Sequence, residues 1–442
     1  MWTFQLRQGV HFHHGREMVA DDVIYSFTRL LDPKYRSPWS WLFTRVQGAD
    51  AFRLGRANQV SGFETLDRYL LRITLTEPYA PFVHQLGMTA AKIVPRDEVQ
   101  RLGAAFGQQP VGTGPFRFSA WEPNGPIRLQ AHETYFEQRP YLDQIHFRIF
   151  PNGKLSDAWR AFERGELEEA KIPIRERQRV LQDQTLRYKF VKKALLATLF
   201  LLLDIQSEPL QNPKVRQAIN YAINREAINR DIRKNRFRTA QGILPLGMPG
   251  YNFNQNGYAY DVERARRLLA EAGYPDGQGL SPLELWTSSK SETVRQEHEA
   301  IKGYLERLGL TVNLRTASSW KAYKRDVIGK RPGGMYRYAW YADFPDPYNF
   351  LYTLFHSTSP GNYIHYANPE VDHLINTARS EVDQQKREGL YHQAEALIMQ
   401  DAPTVNIVYY EIERLFQPYV QGLDVSSMRE SFTRMELIWL DR

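Results

Sequence analysis

Apolar and polar residues alternate along residues 2–7, the two-residue period of a half-buried strand. Gln8-Gly9 turns the chain, Val10-His11-Phe12 continues it, and His13-His14-Gly15 makes a second turn. The period then lengthens. Val23, Phe27, Leu30 and Leu31 carry helical spacing, with Ala20-Asp21-Asp22 expected to supply N-caps and Asp32-Pro33 to stop the helix. Residues 63–77 read as a hairpin whose second strand covers 69–75, and further strands are expected over 116–120, 127–131 and 145–150. Between them, Val111-Gly112-Thr113-Gly114-Pro115 lacks the Lys-Ser or Lys-Thr of a phosphate loop and reads as a tight turn into a strand. An amphipathic helix over 155–164 ends at Gly165, a natural C-cap.

The longest apolar run, 194–203, is interrupted only by Thr198. It is too short to span a bilayer and reads as a buried strand. Asn212-Pro213 opens a helix striped by Val215, Ile219, Ala222 and Ile223. Asp261 caps another that ends at Gly273. A strand at 283–287, a helix at 294–308 and a strand at 310–314 form a β-α-β run, the mark of helices packed on a sheet. Helices are expected from Trp320, from Pro369 and over 387–399, with strands over 404–410 and 436–440.

Candidate chemistry concentrates in residues 336–354. Tyr336, Tyr338 and Trp340 fall on one face of a short strand and Arg337 on the other. Pro345 and Pro347 cannot continue a hydrogen-bonded ladder, so the chain leaves the sheet beside Asp343 and turns helical from Tyr348. Side chains at a strand end can aim into a cleft. Asp343 can hold an ammonium, Arg337 can hold a carboxylate in a bidentate fork, and Trp340 can cover apolar ligand surface. The same residues also suit an internal Arg–Asp pair among core aromatics.

Composition narrows the choice. The 442 residues, 42% hydrophobic, exceed one ordinary domain and imply two or three lobes. With no cysteine, disulfides, thiolate catalysis and cysteine-based zinc sites are excluded. The net charge of +7 is spread along the chain among 50 acidic residues, and even the basic stretch 230–238 contains Asp231. That is a solvated surface without a nucleic-acid-binding module. His11, His13 and His14 lie on a turn with no third-ligand motif nearby, so neither a metal nor another cofactor is expected. No nucleophile elbow, His-Glu-x-x-His or dinucleotide fingerprint occurs, and no enzyme is expected.

Trp340-Tyr341-Ala342-Asp343 followed by Pro345-Asp346-Pro347 and Asn349-Phe350-Leu351 resembles a signature of the family 5 solute-binding proteins, which feed bacterial ABC importers. The block Thr3-Phe4-Gln5-Leu6-Arg7-Gln8-Gly9-Val10, with Phe12, Gly15, Ala20, Asp22-Val23 and Tyr25-Ser26-Phe27, is similar to that family's most recognisable stretch. The likeness runs along essentially the whole chain. It implies an α/β, two-lobe periplasmic-binding-protein fold (type II, cluster C-like) with mixed sheets and hinge crossings. The implied division is an outer part of lobe I at 1–105, the lobe I core at 106–205, lobe II at 206–408 and a return to lobe I at 409–442. A further N-terminal segment, with the first strands of lobe I and part of the cleft, is expected ahead of Met1.

By the same resemblance the ligand is a di- or oligopeptide held between the lobes and delivered to permease subunits of the inner membrane. Asp343 matches the residue that grips the peptide's amino group, and Arg337 matches an arginine of the oligopeptide binders. Trp320, Trp340, Tyr341, Asn362 and, in a Ser-Pro-aromatic segment, Trp39 are further ligand-facing candidates. A monomer in the periplasm or another extracytoplasmic space is implied, with no nucleic-acid partner. A metal chelate, opine or sugar remains open as the solute of such an importer. A cytosolic regulator with a solute-binding sensor domain is the reading from another class.

Overall fold

The computed structural model describes residues 1–122, 125–150, 153–183, 188–330, 333–429 and 433–442. The chain divides into two units. One holds residues 1–191, 413–426 and the C-terminal residues, and the other holds 192–412 with the short segment 427–429.

The first unit is built from small antiparallel sheets. β1 (Trp2–Gln5) pairs with β3 (Leu70–Ile73), which pairs in turn with β2 (Phe63–Asp67). Helix α1 (Ala20–Leu31) buries Val23, Phe27 and Leu31. Its cap differs from expectation. Val19 is the cap residue, and Asp22, already in the first turn, accepts a hydrogen bond from the Val19 amide at 3.0 Å. Asp22 thus satisfies an orphan donor from inside the helix, and both aspartates favour its positive end.

A second sheet joins β4 (Phe116–Trp121), β5 (Ile127–Ala131) and β6 (Gln144–Phe147). The turn before β4 is fastened by its Gly114 carbonyl, which faces His13 Nε2 at 3.0 Å and His132 Nδ1 at 3.2 Å. His11 lies against the Gly9 carbonyl and His14 against Asp97, so each histidine of the N-terminal turn has a protein partner. Helix α2 (Leu155–Glu163) and β7 (Glu169–Lys171) complete this part. The final strand is shorter than expected. Met435–Leu437 coils into a 3₁₀ turn, and only Trp439–Leu440 pairs, with Val420–Gln421.

The second unit centres on a mixed sheet. The run read as a buried strand is the inner part of β8 (Lys189–Leu203), buried from Leu196 to Leu203. Leu199, Leu201 and Leu203 face a core shared with Val215 and Ile219 of α3 (Pro213–Ala222) and Leu269 of α4 (Val262–Glu271). Phe200, of the opposite parity, stacks on Tyr338. A strand covered on both faces needs apolar residues at every position. Thr198 is tolerated because its hydroxyl donates to the Ile243 carbonyl at 2.8 Å.

β10 (Leu283–Thr287), α5 (Glu292–Glu306) and β11 (Val312–Thr316) form the expected β-α-β unit, its two strands parallel. β12 (Met335–Tyr341) runs parallel to β10 and antiparallel to β8. Gly334 precedes it with φ +102°, and a Cβ there would collide with the Glu284 carbonyl, so only glycine enters the strand this way. Helices α6 (Tyr348–Phe355), α7 (Pro369–Ser380) and α8 (Gln384–Asp401) follow, then β13 (Thr404–Phe416), on which the short β9 (Arg238–Thr239) pairs. Two of the passages from one unit to the other fall inside strands, β8 at 191/192 and β13 at 412/413.

Candidate functional site

The site grows from the end of β12. Tyr341 is its last residue in register with β8, opposite Ala197. The Ala342 amide still donates to the Leu196 carbonyl at 2.8 Å, and then the Pro-Asp-Pro turn takes the chain out of the sheet. The turn is locked by Asp346. This fully buried residue accepts the Tyr348 amide at 2.9 Å on its side chain, and Arg387 lies 3.7 Å from its carboxylate.

Asp343 is left at the strand end, half-buried. Its carboxylate receives one long hydrogen bond, from Asn349 Nδ2 to Oδ2 at 3.4 Å. Among the described residues no cation lies within salt-bridge distance of it. Burial pushes its carboxyl above the ordinary aspartate range, against the smaller opposing effects of Asn349 and the charge of Arg429. A desolvated carboxylate so sparsely matched has the chemistry to accept a cation.

Asn349 is the organiser that reasoning from the sequence missed. Its Oδ1 accepts the Trp340 indole N–H at 3.0 Å and the Asp343 amide at 2.9 Å. One side chain therefore fixes both the indole and the backbone of the acid. The available signal was its place two residues after Pro347, in the first turn of α6, where an Asn side chain can bond back to the preceding loop.

Trp340 and Tyr338 share the face expected from the alternation, with ring centroids 6.5 Å apart. Tyr338 extends the aromatic wall to Trp320, 6.3 Å away, and to Tyr363, 5.6 Å away at a steep angle. Trp320 is half exposed, with its ring free to cover an apolar group. Tyr336, the third residue of that face, is fully buried, its hydroxyl 3.0 Å from Asp204.

Arg337 and Tyr341 lie on the other face. The Arg337 guanidinium donates to Glu297 of α5 at 3.3 Å, and Arg233 donates to the same carboxylate at 2.7 Å. Glu297 has no solvent exposure, so Arg337 already serves a buried ion triad. Tyr341 stacks on Tyr410 at 5.5 Å with nearly parallel rings, and carries the Arg429 guanidinium 4.8 Å from its centroid. Asn362 is buried, and its amide closes the following loop. It donates to the Tyr366 carbonyl at 2.7 Å and accepts the Tyr366 amide at 3.0 Å. Trp39 belongs to the first unit, exposed beside Trp41. The residues brought together are thus Asp343, Trp340 and Trp320, with Arg337 and Tyr341 behind them across the strand.

An open cavity of about 740 Å³ in the first unit, lined by His13, His14, Arg101, Arg117 and Trp121 among others, contains none of these residues. Two of its polar side chains already have partners, Arg101 in Glu98 and His14 in Asp97.

A sparsely matched acid and an aromatic wall thus lie together at one strand end of the mixed sheet. The chain belongs to the bacterial extracellular solute-binding proteins, family 5, whose middle-region model matches residues 1–362. It is 30% identical to a probable di/tripeptide-binding protein of Pseudomonas aeruginosa over 98% of this chain and 84% of that one. It is 28% identical to heme-binding protein A of Haemophilus influenzae, over 95% and 78% respectively. A solved relative is the periplasmic binding protein DppA of Helicobacter pylori in complex with the peptide STSA. It matches at 30% identity with a TM-score of 0.79, covering all of this chain and 86% of the other.

Proposed function

We propose that this protein captures short peptides by their amino end and presents them to the permease of an ABC importer. It works as an extracytoplasmic monomer and by binding alone, with no chemical step. The observation that carries this reading is Asp343, a half-buried carboxylate with one long hydrogen bond and no cation within salt-bridge distance among the described residues. A peptide's ammonium supplies the missing charge and up to three hydrogen-bond donors. Trp340 and Trp320 give the adjoining side chains apolar, shape-tolerant surface. Relatives that bind peptides support the same class of solute.

Native mass spectrometry of the purified protein, followed by thermal unfolding with a peptide panel, tests it. A ligand at 100 times its Kd stabilises the bound form by about 2.7 kcal/mol, so peptides raise the unfolding midpoint. Asp343→Ala abolishes that rise. A fully folded protein that carries no peptide and responds to none overturns the reading in favour of a chelate, opine or sugar.

A further inference from the structure

The charges of three arginines bear on Tyr341, and among the described residues only two of them have an acidic partner. Burial pushes the Tyr341 hydroxyl up to about 12, and Arg429, Arg337 and Arg233 all act against that shift. Arg233 and Arg337 share the single buried charge of Glu297. Arg429 is exposed and has no acidic partner within salt-bridge distance among the described residues.

The backbone of Arg429 is held where it is at some cost. Its backbone has φ +84°, a left-handed conformation that a residue with a Cβ rarely adopts and that glycine adopts freely. Such conformations persist where the surroundings impose them, and they concentrate at functional positions. The surroundings here are specific. Leu196 of β8 donates its amide to the Ser427 carbonyl at 3.0 Å and accepts the Ala342 amide at 2.8 Å. One residue therefore fixes both the segment that carries Arg429 and the residue just before Asp343. The charge of Arg429 reaches the Asp343 carboxylate, yet the two form no direct ion pair. Arg429 lies over the ring of Tyr341, two residues before Asp343, and a cation and an acid so placed, with no direct pair between them, are complementary to a ligand that carries both charges.

We propose that Arg429 is a specificity-determining residue that receives an anionic group of the ligand whose ammonium rests on Asp343. This rests on the peptide reading above and adds to it a ligand class: short peptides with a carboxylate near the amino end. That carboxylate is either the free C-terminus of a dipeptide or an acidic side chain at the first or second position. Both present the same planar oxygen pair to a guanidinium. Arg337 is not the receiver, because Glu297 already occupies it.

Calorimetric titration with Ala-Ala, its C-terminal amide and the amide of Ala-Glu separates the sources. The wild-type protein binds Ala-Ala at least tenfold more tightly than Ala-Ala amide. If acidic side chains also reach Arg429, Ala-Glu amide recovers that tenfold. Arg429→Gln removes both advantages and leaves affinity for Ala-Ala amide within twofold. Arg429→Gly does the same, and because glycine relieves the left-handed backbone it does not lower the unfolding midpoint. A purely structural arginine behaves in the opposite way, with the midpoint falling in Arg429→Gly and the acid-to-amide ratio unchanged. An unchanged ratio in both variants overturns the proposal, as does a wild-type protein that treats acid and amide alike. A folded wild-type protein that binds none of the three peptides overturns the peptide reading itself, and this inference with it.

Discussion

The side-chain amide of Asn349 holds Asp343 at two points, accepting its backbone N–H at 2.9 Å and donating to its carboxylate at 3.4 Å. The same oxygen takes the Trp340 indole N–H at 3.0 Å. The acid and the aromatic of the candidate site are therefore positioned by one residue that need not touch ligand.

Asn349→Ala strands the indole N–H and the Asp343 amide together. Each half-buried donor left without a partner costs about 1–3 kcal/mol. The variant is expected to unfold at lower denaturant and to bind peptide more weakly. Asn349→Asp keeps an acceptor for both donors and puts a second carboxylate beside Asp343. It recovers most of the stability and none of the affinity. Equal affinity in wild type and Asn349→Ala, measured by calorimetry, contradicts this positioning role.

The pH dependence follows from the raised Asp343 carboxyl. Its folded value lies above that of an ordinary aspartate, because burial disfavours the charged form. Ionised Asp343 therefore costs the unliganded fold stability at neutral pH. That cost disappears as the pH falls through the raised value and the acid takes up a proton. Binding has the opposite sign. An ammonium needs the ionised form, so affinity weakens on acidification, starting at a higher pH than an ordinary aspartate gives. Asp343→Asn is expected to leave the empty protein at least as stable at pH 7. It lowers peptide affinity about tenfold to a hundredfold, the worth of a charge-assisted hydrogen bond. Affinity that stays flat down to pH 4 argues against Asp343 as the contact.

The triad of Arg233, Glu297 and Arg337 predicts a lopsided mutational response. Glu297→Gln removes the carboxylate that two largely buried guanidinium groups share, which costs about 3–5 kcal/mol. Arg337→Leu leaves Glu297 paired with Arg233 and costs less, about 1–2 kcal/mol. Urea unfolding of the two variants measures the difference. Equal losses contradict the shared-carboxylate arrangement.

Trp320 is half exposed and contributes ring surface to the wall it forms with Tyr323 and Tyr338. Trp320→Ala is expected to change unfolding free energy by less than about 1 kcal/mol while weakening peptides with large side chains more than Ala-Ala. A uniform loss across side chains contradicts a side-chain-covering role.

Much of this was legible in the chain. The run around Thr198 declares a doubly covered strand, because only a strand buried on both faces needs apolar residues at consecutive positions. The alternation of Tyr336, Tyr338 and Trp340 assigns the aromatic face, and the two prolines place Asp343 just past the end of β12. What escaped the sequence depends on partners distant along it. Glu297 lies on a helix 40 residues before Arg337, and no local pattern distinguishes a guanidinium that meets a ligand from one that meets a buried glutamate. Asn362 has the composition of a ligand-binding loop, yet its donors and acceptor are used by Tyr366 and His356. Arg429 follows a stretch without periodicity, and its place beside Tyr341 is set by the backbone of Leu196, which no side-chain pattern encodes.

The central claim is that Asp343 holds a peptide's amino group. It is tested most directly by titrating the wild-type protein and Asp343→Asn with Ala-Ala and with N-acetyl-Ala-Ala, which lacks the ammonium. The account predicts that the free dipeptide binds the wild-type protein at least tenfold more tightly than the acetylated one, and that Asp343→Asn erases the difference. An acetylated dipeptide that binds the wild-type protein as tightly as the free one contradicts it.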